Sequence, residues 1–392
     1  METFYRTHSY LVEHTNAPVR RALMDEIDWS HRLIGIKGTR GVGKTTFLLQ
    51  YAKEKFGFDR SCLFINMNNF YFSAHSIVEF AGEFVKRGGK VLLIDQVFKH
   101  PDWSHELRTC YERYPQLKIV FTGSSVMRLK DENPELNGIV KSYNLRGFSF
   151  REFLNLQTGN NFQPFSLEEI LDGHEHLAKT ILPHINPVNY LQDYIHHGFY
   201  PFFLEKRNFS ENLLKTMNMM LEVDILYIQE IEQSYLTKIR KLFYLLAIQS
   251  PATPNVSQLS LDCGISRATV MNYMKYLQDA RLINMLYKPG CGFPKKPNMV
   301  YMNNTNIMFP TKLRDVESRA LNETFFYNQL NVLTKVNKSG RKSQFMVNNK
   351  YHFRIELEDK KNTKSHSHFV VVDTKQTEES NVIPLWLFGF LY

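Results

Sequence analysis

Four runs in the first third of the chain are almost wholly apolar: LIGIK (Leu33 to Lys37), CLFINMNN (Cys62 to Asn69), KVLLIDQVFKHPDW (Lys90 to Trp103, apolar up to Asp95) and LKIVFTGSS (Leu117 to Ser125). Uninterrupted runs of this kind mark central parallel strands, which are buried on both faces. Helix-like stretches such as TTFLLQYAKEKF lie between them. Strand alternating with helix over residues 30–130 predicts an α/β architecture with a parallel sheet and helices on both faces. From Asn155 to Leu236 the pattern is mostly helical, and the Met- and Ile-rich TMNMMLEVDILYIQEIEQ (Thr216 to Gln233) has the spacing of core packing.

The period changes again beyond Tyr235. YLTKIRKLFYLLAIQ (Tyr235 to Gln249), VSQLSLDCG (Val256 to Gly264) and SRATVMNYMKYLQDARL (Ser266 to Leu282) read as three helices, the second ending at glycine and the third opening on a serine cap. INMLYKPGCGFPKKPNMVYMNN (Ile283 to Asn304) reads as two strands joined by a Gly- and Pro-rich loop. Helix, short turn, helix and hairpin predict a winged helix. On the third helix Ala268, Val270, Met271, Met274, Leu277 and Leu282 are expected on the packed side, and Ser266, Arg267, Thr269, Asn272, Tyr273 and Lys275 on the polar side.

At 392 residues the chain is too long for one core, so several domains are expected. Hydrophobic residues make up 43% and charged residues 22%, and every apolar run is broken by charge before it could span a bilayer. The first thirty residues lack the apolar stretch of a secretory signal, which makes the cytoplasm the expected location. Cys62, Cys110, Cys263 and Cys291 are widely spaced and fit reduced, mostly packing thiols rather than a zinc site or a disulfide frame. The pairs His174/His176, His196/His197 and His366/His368 lack further ligands at metal spacing. Lys and Arg outnumber Asp and Glu by 48 to 39. From Leu236 to Val300 nine basic residues face two acidic ones, a local excess of seven in about one sixth of the chain. A polyanion is the partner such clustering suggests, and the alternative is a solvated basic face.

Chemistry concentrates at Gly38, Thr39, Arg40, Gly41, Val42, Gly43, Lys44, Thr45 and Thr46, which match the phosphate-binding loop pattern between a strand and a helix. Glycines let main-chain N–H groups converge on a phosphate, the helix N-terminus adds partial positive charge, Lys44 reaches the β- and γ-phosphates of ATP, and the Thr45 hydroxyl ligates Mg2+. Asp95, ending a second strand, is the expected magnesium-side carboxylate, and Ser124 or Thr122, ending a third, is placed to sense the γ-phosphate or hold the attacking water. On the third helix of the basic segment, Arg267, Thr269, Asn272 and Lys275 are candidates for major-groove contacts with double-stranded DNA, and Lys295 and Lys296 in the wing for phosphate contacts.

With GTRGVGKTT, VLLIDQVFKHPDW, FTGSS, LRGFSFREFL and HHGFYP together, the chain resembles prokaryotic AAA-type P-loop ATPases akin to the archaeal-ATPase and STAND groups. SRALNETFFYNQL and IPLWLFGFLY extend the likeness to bacterial members. The resemblance implies a P-loop NTPase domain at 1–155, a helical lid at 156–235, a winged helix at 236–304 and a C-terminal α/β domain similar to restriction endonucleases at 305–392. It implies that Pro201, after Gly198, packs on adenine, and that copies of the chain associate with one another.

Three positions depart from that pattern. Gln96 stands where relatives carry the Glu that orients the attacking water, and an amide accepts no proton; unless Glu106 or Glu112 substitutes, about 10² to 10⁴ in rate is at stake. Relatives commonly carry arginines near the positions of Gly138 and Ile139, worth about 10³ to 10⁵ in rate, with Arg128, Arg146 and Arg151 as nearby substitutes. In the nuclease-like part, Glu323 and Glu358-Asp359-Lys360 match two elements of a magnesium site, yet Gln344 stands where relatives tend to have Asp. The resulting expectation is an ATP-binding protein that hydrolyses slowly and controls a DNA-binding winged helix. Its alternatives are a non-hydrolysing nucleotide-gated binding module and a magnesium-dependent nuclease.

Overall fold

The apolar runs become strands β1 (Leu33–Gly38), β2 (Cys62–Asn66), β3 (Val91–Asp95) and β4 (Lys118–Ser124), and β5 (Lys141–Asn144) joins them. In the computed structural model these five form one sheet of order β2-β3-β4-β1-β5 in which every pairing is parallel. Parallel neighbours need crossovers, and helices Lys44–Lys55, Ile77–Lys86 and Trp103–Arg113 follow β1, β2 and β3 in turn. All five residues of β3 are buried, as the run VLLID requires. The sequence KSYN of β5 carries no apolar run, and its residues are exposed or half-buried, so nothing in the hydrophobic pattern announced it. The structure describes all residues except 128–132, 206–207, 229, 312–314, 341–342, 358–366 and 376–380. The described chain forms two compact units, Met1–Gly147 and Phe148–Tyr392.

In the first unit, helix Glu2–His14 covers the edge strand β2. The Phe64 N–H donates to Nδ1 of buried His8 at 3.0 Å, and Tyr5 donates to the Arg60 carbonyl at 3.3 Å. An edge N–H that would otherwise invite another strand is thereby satisfied from a side chain. Helix Ile77–Lys86 is fixed at its start by a capping box: the Ser76 hydroxyl accepts from Glu79 N at 3.0 Å and the Glu79 carboxylate accepts from Ser76 N at 3.3 Å.

The second unit opens with helices Phe150–Thr158, Leu167–Ile181 and Pro187–Asp193, the last widening into a π-type turn at Tyr194–Gly198. Buried Asn306 closes that turn, donating to the Tyr194 and Ile195 carbonyls at 3.0 and 2.8 Å and accepting from Phe199 N at 2.9 Å. The Met- and Ile-rich stretch is helical, as Phe209–Met219 followed by a second wide turn at Met220–Tyr227.

Helices Leu236–Gln249, Val256–Cys263 and Arg267–Asp279 follow, then antiparallel strands β6 (Ile283–Leu286) and β7 (Met299–Met302). Gly264, at φ 60°, ends the second of these helices, and the Ser266 hydroxyl caps the third by accepting from Thr269 N at 3.0 Å. Two residues lie opposite to expectation. Ala268, in the first turn of its helix, is exposed, and Tyr273 is buried, because a tyrosine can pack its ring inside while presenting only its hydroxyl outward.

The C-terminal sheet, of order β12-β11-β10-β9-β8, comprises β8 (Val336–Lys338), β9 (Phe345–Val347), β10 (Tyr351–Glu356), β11 (His368–Val372) and β12 (Val382–Pro384). Pairing is antiparallel from β8 to β10 and parallel from β10 to β12. Helix Ser318–Leu330 lays Phe326 against Phe345, Phe353 and Phe388 with ring centroids 5.3, 5.1 and 4.8 Å apart. Strand β9 stops at Val347, since Asn348 and Asn349, at φ 52° and 55°, make the turn into β10.

Candidate functional site: the phosphate-type loop and the strand ends beside it

Sheet register assembles the first candidate site. Gly38 at the end of β1 lies opposite Ser124 of β4, and Asn66 at the end of β2 lies opposite Asp95 of β3. Open α/β sheets bind ligands at these carboxyl ends. The loop after β1 turns directly into helix Lys44–Lys55, whose N-cap, Gly43, sits at φ 89° and supplies no side-chain cap. The first N–H groups of that helix thus receive no cap from the side chain at its N-cap position. A Cβ on Gly38 would lie 2.4 Å from the Leu145 carbonyl, so only glycine fits there.

Asp95, 1% exposed, gathers donors from three other elements. Its Oδ2 accepts from the Thr45 hydroxyl at 2.8 Å and from the Asn66 amide at 2.9 Å, and its Oδ1 accepts from the Thr122 hydroxyl at 2.5 Å. Thr122 in turn accepts from Gln96 N at 3.0 Å, which fixes Gln96 in the left-handed region at φ 55°. Lys44 Nζ donates to the Gly38 and Thr39 carbonyls at 2.7 and 2.8 Å. The Thr45 hydroxyl and Asp95 carboxylate are a hard oxygen pair of the kind that takes a divalent cation beside a phosphate, and the uncapped helix start suits the phosphate itself. The residues present thus fit a magnesium–nucleotide complex.

Other sequence candidates fall in different places. Ser124 is buried and its hydroxyl accepts from Val126 N at 3.5 Å within its own turn, so Thr122, not Ser124, touches Asp95. Glu106 accepts from Ile77 N at 2.5 Å and lies 4.0 Å from His100, while Glu112 pairs with Arg108 at 2.9 Å; both carboxylates serve helix ends and surfaces. Arg151 lies in the second unit, where it donates to the Tyr392 and Phe162 carbonyls, both at 3.0 Å. Arg128 lies outside the described residues. Pro201 begins the short helix Pro201–Glu205 in the second unit, and a Cβ on Gly198 would lie 2.4 Å from the Tyr194 ring.

Two contributors had no sequence signal. Arg21 is buried and donates to the loop carbonyl of Val42 at 3.1 Å and to the Arg146 and Gly147 carbonyls at 2.7 and 3.1 Å, bolting the loop to the end of the first unit. Asn66 ends β2, and only the register to Asp95 gives its amide a partner.

The basic segment offers a second surface. Arg267 and Asn272 are exposed on helix Arg267–Asp279, and Thr269 shares a hydrogen bond of 2.9 Å with Ser266. Lys275 is ion-paired with Asp279, one turn on. Lys295 and Lys296 are exposed in the connection between β6 and β7. Arg240 pairs with Glu222 and so does not add to a free positive face. Beside the C-terminal sheet, Glu323 of helix Ser318–Leu330 accepts from Tyr301 and from Arg319, both at 3.0 Å, while the Gln344 amide donates to Glu323 and to the Ile355 carbonyl, both at 3.4 Å, and accepts from Ile355 N at 3.1 Å. Glu358, Asp359 and Lys360 lie outside the described residues. No helix among the described residues is long and apolar enough to cross a membrane.

The phosphate-type loop lies within a stretch of the chain that is similar to known proteins. Residues 30–154 match the family described as AAA domain, and residues 188–297 match a family described as a domain of unknown function. Uncharacterized protein MJ1637 of Methanocaldococcus jannaschii is 26% identical over 274 residues, covering 66% of this chain and 57% of that protein. This chain thus spans little more than half the length of that curated relative. Among solved structures, AMPPCP-bound DnaA from Aquifex aeolicus is 13% identical, covering 70% of this chain and 88% of that one at a TM-score of 0.23. C. elegans PCH-2 is 15% identical, covering 71% and 66% at a TM-score of 0.24. The family match, together with the five-stranded parallel sheet and the loop at its carboxyl edge, makes residues 30–154 an AAA-type, ATPase-like P-loop domain.

Proposed function

We propose that this chain binds ATP with Mg2+ at Gly38 to Thr46, turns it over slowly, and uses the bound nucleotide to govern attachment of residues 236–304, read as a winged helix, to double-stranded DNA. The observation that carries the nucleotide part is the 2.8 Å contact between the Thr45 hydroxyl and buried Asp95 at the end of the loop. When bound, the metal supplies charge neutralisation between the phosphates. The chain's own part is to hold: main-chain N–H groups at the start of helix Lys44–Lys55 receive phosphate oxygens, the Lys44 ammonium exchanges its loop carbonyls for them, and Thr122 keeps Asp95 and Gln96 in register. The Gln96 amide accepts no proton from water, which supports slow turnover. The helix–turn–helix and hairpin, with Arg267, Asn272, Lys295 and Lys296 exposed, support the DNA reading.

Titration of ATP with Mg2+ by calorimetry tests the first step. The intact chain should release heat and Lys44→Ala should bind about 10- to 100-fold more weakly, the worth of a charge-assisted contact. Absence of heat with the intact chain would end the nucleotide reading. A second reading, a nucleotide-gated module that does not hydrolyse at all, is favoured by the engagement of Glu106 and Glu112 elsewhere. It differs in leaving phosphate release at background under every condition.

A further inference from the structure

A cavity of about 800 Å³ opens within the second unit, between helix Leu236–Gln249 with β7 on one side and helix Ser318–Leu330 with β8 on the other. That volume lies in the range of small-molecule sites. One wall is apolar, from Tyr244, Ile248, Pro251 and Met299. The opposite wall carries buried Glu323 and half-buried Lys338 with exposed Arg319 beside them, so that two cations face the one buried carboxylate. Glu323, 6% exposed, is neutralised by Arg319 at 3.0 Å and further held by the Tyr301 hydroxyl at 3.0 Å. Lys338 is half-buried, and its ammonium has no hydrogen-bond or ion-pair partner among the described residues. Burial lowers its pKa, and attraction to Glu323 opposes that shift, as expected for a cation held out of water near a carboxylate already matched elsewhere.

We propose that this cavity is a binding site for a small organic monoanion, a carboxylate with an aromatic or branched aliphatic body, whose charge meets Lys338 and whose body lies against Ile248 and Met299. Among the described lining residues Lys338 is the partly buried cation that no carboxylate meets at ion-pair distance, and it suits one negative charge; Asp315 and Glu317, which also line the cavity, are exposed and screened by solvent. A phosphate monoester dianion would leave a second charge uncompensated close to buried Glu323. An uncharged body of the same shape would bury the apolar surface but leave the lysine unmatched. Because the two walls come from the helix–hairpin segment and from the C-terminal sheet, the occupant touches both and ties one to the other.

The test uses the full chain with ATP and Mg2+ present, so that the phosphate-type loop does not compete, and follows 2-naphthoate, 2-naphthamide and 2-naphthylmethylamine by ligand-observed NMR and calorimetry. Naphthoate should bind about tenfold or more tightly than the amide, and the amine should be rejected. Lys338→Met should weaken naphthoate by about 10- to 100-fold and Lys338→Arg should retain it, which separates charge from any effect on folding. Ile248→Trp, at a partly exposed position, should block the cavity without altering its charge. Equal binding of acid and amide, tighter binding of the amine, or naphthoate affinity unchanged in both Lys338→Met and Ile248→Trp would overturn the proposal.

Discussion

The strand-end site of the first unit and the exposed face of helix Arg267–Asp279 are both polar, and they are built on opposite plans. At the strand ends the polar groups around Asp95 hold one another: Asp95 takes hydrogen bonds from Thr45, Asn66 and Thr122, three residues on three different elements. On the helix, Arg267 and Asn272 stand in solvent and Lys275 leans on Asp279. A buried, mutually satisfied cluster is organised before its ligand arrives, whereas exposed side chains lose rotamer freedom when they bind. Substitutions in the first place should therefore have large, local effects, and those in the second small, additive and salt-dependent ones.

The largest expected effect separates a site arranged for chemistry from one arranged only for grip. Gln96 already occupies a left-handed backbone position fixed by Thr122, so Gln96→Glu places a carboxylate on a preset backbone. Phosphate release should rise by about 10² to 10⁴. No rise, with ATP still bound, would leave the non-hydrolysing module as the reading. Next in size is Thr122→Val, which preserves shape but removes the donor to Asp95 and the acceptor for Gln96 N. Urea unfolding of the variant should show a loss of about 1–3 kcal/mol, the cost of leaving buried partners unmatched, and Thr122→Ser should recover most of it. If Val is tolerated without cost, the strand-end cluster is not the preorganised unit described above.

The contrast also explains what could be read in advance. The loop, β1 to β4 and Asp95 were legible because a glycine-rich turn between an apolar run and a helix is a local pattern, and local patterns survive without knowledge of the fold. The three helices after Tyr235 were legible for the same reason, down to Gly264 and Ser266 at their ends. Arg21, Asn66 and Asn306 were not, because their roles are made by register and tertiary contact: Arg21 reaches carbonyls at Val42 and Gly147, and Asn306 reaches back to Tyr194. Strand β5 escaped because KSYN lacks the apolar run on which strand recognition rests. Counting charge along the chain overstated the free basic surface for a related reason, since Glu222, outside the counted segment, pairs with Arg240.

The smallest expected effect falls on the exposed side of the comparison, at Lys295 and Lys296 in the connection between β6 and β7. If both touch DNA phosphates, each contact displaces condensed counterions, and each contributes about 0.9 to the slope of log affinity against log salt. The double variant Lys295→Ala/Lys296→Ala should then bind duplex DNA more weakly at low salt, with its salt slope reduced by about two and its preference among sequences unchanged, because phosphate contacts carry no base information. Arg267→Ala, at the start of the helix, should instead change affinity unequally among sequences. Fluorescence anisotropy across a salt series on several duplexes reads both. A slope that stays fixed in the double variant would mean that the hairpin lysines face only solvent, and the exposed basic surface would then be a solubilising face and not a nucleic-acid interface.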